Sequence, residues 1–383
     1  MNLSSYSAYI QFLPGFIEAF VFTFLITPFI GMIAQKNKVL DLPGPLRKDN
    51  DETASRRIHK VPKPLLGGAG VIGVFLIITF INVSLSTPYY YFIAGIMLLL
   101  ILGVVDDIMQ LNSKIQFLGQ VAAALLVVLS GKGINFINNP FTKNIFFFNQ
   151  GTVEVLNHTY FISSSIITIA WILLLINSVK WVAGTDGLVE GNSFIASSVL
   201  ALLSVRVRTF TTASMGFIFS GALLGFLPFN FNPSKIFSGS SGKSVYGYIL
   251  AVLAIISGGK LATAMLTLSI PILDAIYVIY TRIREKKPKS IFQLMAISDK
   301  NHLHHKLLNL GFSQKGVAIT EYTITLILGI IALVFTGMHK ALALFTAGCI
   351  ILLSLFLITR TIKVRNKSYL RKQKDTPEKK YVY

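Results

Sequence analysis

Two adjacent carboxylates, Asp106 and Asp107, end an apolar run, and Lys114 follows in the short polar stretch before the next apolar run. Charged side chains are costly near hydrocarbon, so an acid pair at the point where a membrane helix meets water indicates a functional site. The alternative interpretation is that two solvated carboxylates simply end a helix. Which interpretation is better depends on the polar loops elsewhere in the chain.

Two further loops combine glycine and asparagine with lysine. NSVKWVAGTDGLVEGNS, at 177–193, contains Asn177, Lys180 and Asp186, and PFNFNPSKIFSGSSGKS, at 228–244, contains Asn230 and Lys243. Glycine-rich backbone beside a helix start can present N–H groups to a phosphate, although ordinary loops also favour glycine and aspartate. The glycine spacing in the second loop is not that of a Walker P-loop.

A fourth polar loop, SDKNHLHHKLLNLGFS at 298–313, carries His302, His304 and His305, with Asp299 nearby. A zinc site is one interpretation, but the spacing matches none of the common zinc patterns. Imidazoles that bind a diphosphate, or stabilise its charge, fit a basic loop better.

Two other positions combine charge with an unusual setting. Asp274 lies inside an apolar segment with Arg282 two turns later, and a carboxylate there normally faces the protein interior and has a partner or a role. In RRIHKVPKPLLGGAG, at 56–70, His59 is predicted to be a surface histidine beside basic neighbours. The glycines Gly67 and Gly68 would let this loop turn into the next helix at close quarters.

The composition of the chain is that of a membrane protein, so these polar loops would connect membrane-spanning segments. The chain has 383 residues, of which 53% are hydrophobic and 13% charged, and its mean hydropathy is +0.65. Soluble domains average about 25% charged residues, so we predict a polytopic membrane protein. The single cysteine, Cys349, lies in an apolar run and excludes an internal disulfide framework. No cleavable signal peptide is predicted, because the first apolar segment lacks a basic start and a small-residue cleavage site.

The hydropathy predicts an all-α fold with about eleven spanning segments. We place them roughly at 10–33, 67–85, 89–105, 116–131, 160–177, 192–206, 209–229, 245–260, 262–281, 319–337 and 341–360. Residues 1–360 would form one integral membrane domain, and 361–383 a basic cytoplasmic tail. The aromatic and turn-rich stretch at 133–160 is predicted to form a β-hairpin on the outer face.

The net charge of +19 follows this topology. Lys and Arg between the segments number about 29 on one side and about 6 on the other, which puts the N-terminus outside and the tail in the cytoplasm. We therefore interpret the charge as a topology signal that also attracts anionic headgroups and substrates, and not as a nucleic-acid surface. All four polar loops fall on the cytoplasmic side. Phosphoryl transfer between a cytosolic anion and a lipid fits this arrangement, because it needs positioning and positive charge more than covalent chemistry.

The ordered motifs GVVDD, N-x(8)-DGL, PFNFNPSKIF and DKNHLHH resemble those of the polyprenyl-phosphate N-acetylhexosamine-1-phosphate transferases, a glycosyltransferase 4 type family. The similarity runs in the same order from Arg56 to Ser313. The HLHH form is more similar to the GlcNAc-1-phosphate transferase branch than to the phospho-N-acetylmuramoyl-pentapeptide translocase branch.

The resemblance implies a bacterial cytoplasmic-membrane enzyme with ten or eleven helices. Members move a sugar 1-phosphate from a UDP-sugar to undecaprenyl phosphate, release UMP, use Mg²⁺, and start cell-envelope glycans such as O-antigen lipopolysaccharide and teichoic acid linkage units. The resemblance assigns catalytic or metal roles to Asp106, Asp107, His302, His304 and His305. It assigns substrate binding to Asn177, Asp186 and Asn230, and we add the cations Lys114, Lys180, Lys243 and Arg282.

The chain departs from the family pattern at six positions: Ser240 replaces the metal-binding aspartate, Ala183 another aspartate, Lys180 an asparagine, Lys243 a serine, Gln116 a lysine and Leu65 an arginine. A hydroxyl is a poor substitute for a carboxylate toward Mg²⁺, and losing the metal would lower the rate roughly a hundredfold or more. The six changes together raise the local charge by about two units, which equals the charge of the missing cation.

Three interpretations remain. The protein is a diverged transferase in which lysines replace Mg²⁺, or a pseudoenzyme that binds polyprenyl phosphate or a partner in envelope assembly. A lipid transporter or scaffold is a more remote alternative, because the sequence shows no inverted repeat and no matching polar site on the outer face. A homodimer is one arrangement that the sequence leaves open.

Overall fold

The computed structural model describes residues 9–43, 59–139, 142, 144–155, 157–257, 261–297 and 301–375. Arg56 and Asp299 lie outside the described residues, so the expectations that rest on them are not addressed. The described part is mainly helical. Its helices are α1 Leu13–Lys36, α2 Gly67–Asn82, α3 Thr87–Met109, α4 Ser113–Leu129, α5 Ile162–Trp181, α6 Leu188–Arg206, α7 Phe210–Asn230, α8 Gly239–Ile256, α9 Leu261–Thr267, α10 Ser269–Lys286, α11 Ile291–Ala296, α12 Leu303–Asn309, α13 Gln314–Val334 and α14 Gly337–Asp375.

The apolar helices confirm a multi-pass membrane protein. Within the described ranges, eight helices are long and apolar enough to cross a bilayer: α1, α3, α5, α6, α7, α8, α13 and the Gly337–Ile362 part of α14. The predicted segments 67–85 and 116–131 form the shorter helices α2 and α4, with 16 and 17 residues. The predicted segment 262–281 is not one straight helix, because α9 and α10 meet at an angle of 81°. The count of eleven spans stays a prediction.

Helix α8 forms the centre of the helix bundle and α14 its edge. In the apolar window of α8 83% of the residues are buried, against 11% for α14. Helix α8 packs against α2, α3 and α5. A Cβ on Gly68 of α2 would fall 2.2 Å from the Cα of Gly242, so the backbones of α2 and α8 touch there. The exposed apolar side chains of α1 and α14 suit contact with lipid.

Within the ranges that the structure describes, six short strands form three antiparallel pairs. Strands β1 Leu40–Asp41 and β2 Lys63–Pro64 pair with each other near the start of α2. Between α4 and α5, β3 Phe136–Asn138 pairs with β4 Ile145–Phe147, and β5 Thr152–Val155 pairs with β6 His158–Phe161. The stretch predicted as a β-hairpin therefore contains two. They lie at the opposite end of the bundle from the carboxyl end of α3, where the acid pair is found.

Candidate functional site

A cavity of about 600 Å³ lies where α3, α5 and α7 end and where α6 and α8 begin. It joins the polar loops that the sequence analysis singled out. Of the predicted site residues, those that line it are Asn177, Lys180, Asp186, Asn230, Lys243, Arg282, His302, His304 and His305. Three of the positions that differ from the family motifs, Gln116, Ala183 and Ser240, also line it.

The acid pair does not line this cavity. Asp107 instead fixes the start of α8: its carboxylate accepts hydrogen bonds from the backbone N–H groups of Ser240 at 2.6 Å and Ser241 at 3.2 Å. The Ser241 hydroxyl donates a third bond at 2.7 Å. An anionic carboxylate at a helix N-terminus is favourable, because it satisfies free N–H groups and complements the helix dipole. Asp107 therefore binds α3 to α8.

Asp106 reaches the cavity through two other side chains. Its Oδ1 accepts a bond from the Leu111 N–H at 2.7 Å and from Gln116 Nε2 at 2.9 Å. The amide oxygen of Gln116 in turn accepts a hydrogen bond from the Lys180 ammonium. Asp106, Gln116 and Lys180 thus form one chain that crosses from α3 through α4 to α5. The lysine lies at the cavity wall and the carboxylate lies behind it.

The amide and carboxylate side chains of the two glycine-containing loops hold the loops together. Asn230 accepts from the Gly187 N–H at 3.0 Å and donates to the Ile236 carbonyl at 2.8 Å. Asp186 accepts from Asn232 Nδ2 at 2.9 Å and from the Ser234 N–H at 3.0 Å. These bonds shape the floor of the cavity. Deeper in the bundle, the Asn177 amide donates to Gln120 Oε1 at 2.9 Å and keeps α5 against α4.

The three histidines form one group, in which the rings of His302 and His304 stack and that of His305 is tilted against His304. His302 and His304 are both buried, and their rings stack with centroids 5.5 Å apart. The ring of His305 lies 4.3 Å from that of His304. The backbone of the 177–193 loop packs directly on this group, because a Cβ on Gly184 would fall 1.8 Å from His304 Nε2. The histidine loop and the glycine-containing loop therefore share one wall of the cavity.

Asp274 orients the first histidine of this group. Its Oδ2 lies 2.7 Å from His302 Nδ1, and its Oδ1 accepts the Leu303 N–H at 2.8 Å. An ionised carboxylate only accepts hydrogen bonds, so it favours the tautomer with the proton on Nδ1 and leaves Nε2 as an acceptor. The intramembrane carboxylate thus has the partner that its position predicted. That partner is His302 and not Arg282, which the sequence placed on the same helix.

Arg282 and Lys114 lie in different surroundings. The buried Arg282 guanidinium lies 4.8 Å from the ring centroid of Trp181 and donates to the Leu294 carbonyl at 3.1 Å. Arg282 lines the cavity, and these two contacts fix its guanidinium in position. Lys114 is exposed, does not line the cavity, and has its ammonium 5.9 Å from the ring centroid of Phe292. Lys114 extends from the first turn of α4, which turns it away from the loops that enclose the cavity.

Three residues of the cavity wall were missed or misjudged. His59 is not a surface histidine: its Nε2 lies 3.1 Å from Asp41 Oδ2, and both residues line the cavity. The β1–β2 pairing brings them together across a long stretch of sequence, which no local pattern reveals. Glu190 is buried at the start of α6, faces Ser238, and lies within electrostatic reach of Lys243. Glu190 stands in the 177–193 loop that the sequence analysis quoted, but no local pattern distinguishes it from the other polar residues there.

The donor set does not fit Mg²⁺. Asp107 uses both oxygens on α8, one oxygen of Asp106 accepts two protein donors, and Ser240 offers a hydroxyl in place of a carboxylate. In the described part of the chain, no group of three or more His, Cys, Asp or Glu side chains is arranged to hold a metal ion. Magnesium requires several oxygen ligands at short distance, which these engaged side chains do not supply.

Fold and site together define a polytopic membrane protein with a cavity of cations, imidazoles and amides at one end of its helices. Residues 89–258 match the model of glycosyl transferase family 4. The chain is 28% identical, over 88% of both lengths, to a Bacillus subtilis protein named probable undecaprenyl-phosphate N-acetylglucosaminyl 1-phosphate transferase. It is 27% identical, over 80% of this chain and 79% of the relative, to a decaprenyl-phosphate N-acetylglucosaminephosphotransferase of Mycobacterium leprae.

A phospho-N-acetylmuramoyl-pentapeptide-transferase of Listeria welshimeri is 28% identical over 74% of this chain and 86% of its own length. Both branches named by the motif resemblance are therefore represented among the relatives. These matches agree with the predicted family: residues 89–258 match glycosyl transferase family 4, and the chain is similar to members of both branches.

Proposed function

We propose that this protein transfers a sugar 1-phosphate, GlcNAc-1-phosphate or a similar group, from a UDP-sugar to undecaprenyl phosphate. In this reaction an oxygen of the lipid phosphate attacks the phosphorus attached to the sugar. The new P–O bond forms as the phosphoanhydride bond breaks, and its electron pair leaves with UMP. The products are a polyprenyl diphosphate sugar and UMP, and no oxidant or further substrate is needed.

The observation that carries this proposal is that four separate loops contribute to one cavity, which is lined by Lys180, Lys243, Arg282 and the stacked histidines. Phosphoryl transfer depends mainly on positioning and on charge stabilisation, which fixed cations and imidazoles can supply. Arg282 is held by Trp181 and Leu294, and His302 is held by Asp274. Groups held in this way need little reorganisation when the charge moves during the reaction.

The orientation belongs to the same proposal. Eleven spans, with α2, α4 and the bent α9–α10 pair counted, would place the N-terminus outside and the basic tail in the cytoplasm of a bacterial cell. The cavity would then face the cytosolic pool of nucleotide sugar, and the lipid phosphate would enter from the inner leaflet. The product would start a cell-envelope glycan. Cysteine labelling from either side of the membrane, with single cysteines in the β3–β6 segment and in the tail, tests this orientation.

The reaction is tested with the full chain in detergent, supplied with undecaprenyl phosphate and radiolabelled UDP-GlcNAc in a magnesium buffer. We expect label in the lipid fraction and an equal amount of UMP. His302→Ala serves as the matched inactive control. A lack of both products with UDP-GlcNAc and with UDP-GalNAc would contradict the transferase assignment for these N-acetylhexosamines.

A second candidate is a pseudoenzyme that binds the same ligands without turnover. The residues at the expected metal site favour this candidate. Ser240 stands where the family motif has its metal-binding aspartate, and the Asp107 carboxylate accepts hydrogen bonds from the start of α8. Saturable binding of UDP-GlcNAc or of undecaprenyl phosphate, with no UMP release in either magnesium or manganese buffer, would support this candidate over the transferase.

A further inference from the structure

We infer that Lys180 and Lys243 contact the phosphate groups of the bound donor directly, so that ligand binding in this cavity needs no divalent cation. The inference rests on the proposed function for the identity of the ligand, a nucleoside diphosphate. It concerns how this particular chain holds the anion. The two lysines lie on different helices, line the same cavity and are within electrostatic reach of each other.

Lys243 lies in the second turn of α8, with the carboxylates of Asp107 and Glu190 within electrostatic reach. Its side chain lines the cavity, and it makes no hydrogen bond or ion pair with the part of the chain that the structure describes. The backbone N–H groups of this helix end are already bonded to Asp107. An ammonium group that lines a cavity without a hydrogen-bond partner in the described part of the chain is available to bind an anion.

Lys180 is held in place for the same task. It lies in the last turn of α5, where a cation is favourable, and its ammonium donates to the amide oxygen of Gln116. Asp106 holds Gln116 through the amide nitrogen at 2.9 Å. This arrangement fixes the ammonium and leaves it two further N–H donors for a ligand. A preorganised donor loses little side-chain entropy when the ligand binds.

The carboxylates that would otherwise bind a dication are engaged elsewhere. Asp107 accepts three hydrogen bonds from the start of α8, and Asp186 accepts bonds from Asn232 and Ser234. The charge that Mg²⁺ would bring to a diphosphate is available from the two ammonium groups. Lysine binds phosphate as a point charge with several donors, so it can neutralise phosphate oxygens without coordination geometry.

The test measures binding and not turnover. The purified full chain is titrated with UDP, with inorganic pyrophosphate and with uridine, once in excess EDTA and once in magnesium chloride. We expect UDP and pyrophosphate to bind with dissociation constants that differ by less than about twofold between the two buffers. Lys180→Gln and Lys243→Gln should each weaken the binding of UDP by about tenfold or more, because each removes a charge-assisted hydrogen bond.

Two further variants give the experiment its controls. Lys235→Gln removes an exposed lysine from the same loop as Lys243, and UDP should bind it as it binds the unmodified protein. Lys243→Arg keeps the charge and should retain most of the affinity, which distinguishes a lost contact from a damaged fold.

Each outcome separates the inference from the proposed function. Binding of UDP that disappears in EDTA and returns with magnesium overturns the inference and leaves the proposed function standing. Equal weakening by Lys235→Gln and Lys243→Gln also overturns it, because only general charge would then matter. If pyrophosphate binds through the lysines and no uridine compound does, metal-free anion binding by the lysines stands, and the nucleotide-sugar donor of the proposed function is overturned. If neither anion binds in either buffer, both are overturned.

Discussion

Asp107 and Asp274 accept similar hydrogen bonds but hold different parts of the protein in place. Asp107 accepts three bonds from the first residues of α8 and so holds one helix against another. Asp274 accepts one bond from a backbone N–H and also contacts the ring of His302, so it holds a side chain that lines the cavity. The sequence analysis assigned a catalytic or metal role to Asp107. In the structure it is Asp274 that orients a side chain at the cavity.

The comparison teaches that an acidic motif does not by itself define the catalytic group. The acid pair ends α3, but neither residue lines the cavity, and three of its four carboxylate oxygens accept hydrogen bonds from protein donors. Asp274 lies in an apolar segment, where a carboxylate is energetically costly. It contacts His302 and so holds one of the histidines in place. Substitutions at the two carboxylates should therefore separate stability from activity.

The largest loss of stability is expected for Asp107→Ala. The change leaves the N–H groups of Ser240 and Ser241 without their acceptor, which should lower the free energy of unfolding by about 3 kcal/mol. Thermal unfolding in detergent measures this as a fall of several degrees in Tm. Ser241→Ala removes only one of the three bonds and should cost about 1 kcal/mol. An unchanged Tm for Asp107→Ala would show that the carboxylate does not hold α8.

The largest selective loss of activity is expected for Asp274→Asn. The asparagine keeps the size of the side chain but offers an N–H to His302 Nδ1, which reverses the tautomer and protonates Nε2. The transfer rate should fall roughly 10- to 100-fold, the loss seen when a carboxylate that orients a metal-bound imidazole is replaced. The dissociation constant for UDP should change little. A rate equal to that of the unmodified protein would refute the orienting role.

A smaller effect of opposite sign is expected for Glu190→Gln. The carboxylate lies within electrostatic reach of Lys243 and opposes an anion in the cavity. Removing one negative charge should strengthen pyrophosphate binding by about 1 kcal/mol, or roughly fivefold. Isothermal titration at low salt measures the change. Weaker binding would mean that Glu190 positions Lys243 more than it opposes the ligand.

The smallest effect is expected for Lys114→Gln. Lys114 is exposed beside Phe292 and does not line the cavity. We expect the dissociation constant for UDP to change by less than about twofold, because solvent and salt screen the charge of an exposed side chain. A tenfold loss of affinity for UDP would support the substrate-binding role that the sequence analysis gave to Lys114.

Much of the fold could be predicted because a bilayer demands long apolar segments. Each predicted segment falls on a helix or on the bent α9–α10 pair. The bend at Leu268 was missed because hydropathy continues through it. The overlooked signal is Pro271 in the first turn of α10, which has no N–H to donate to the Thr267 carbonyl and so disfavours one continuous helix. The predicted segment 67–85 is longer than α2, because apolar residues of the following loop extend the hydropathy signal, whereas α4 has about the length of its predicted segment 116–131.

The site was predictable in its loops and less so in its contacts. The glycine-containing loops, the lysines and the histidines converge on one cavity, because their helices all end on the same side. The His59–Asp41 contact depends on a strand pairing between distant residues, and the Asp274–His302 contact depends on where α10 approaches α12. Such pairs are set by packing, which one sequence does not reveal. The roles of the individual residues stay predictions.

The central claim is transfer in a cavity whose own cations replace the metal. The most direct measurement compares the initial rate of UMP release from UDP-GlcNAc and undecaprenyl phosphate in excess EDTA with the rate in magnesium chloride. The account predicts similar rates in the two buffers and a strong loss in both for Lys243→Gln. Transfer that stops in EDTA and recovers when magnesium is restored would contradict it.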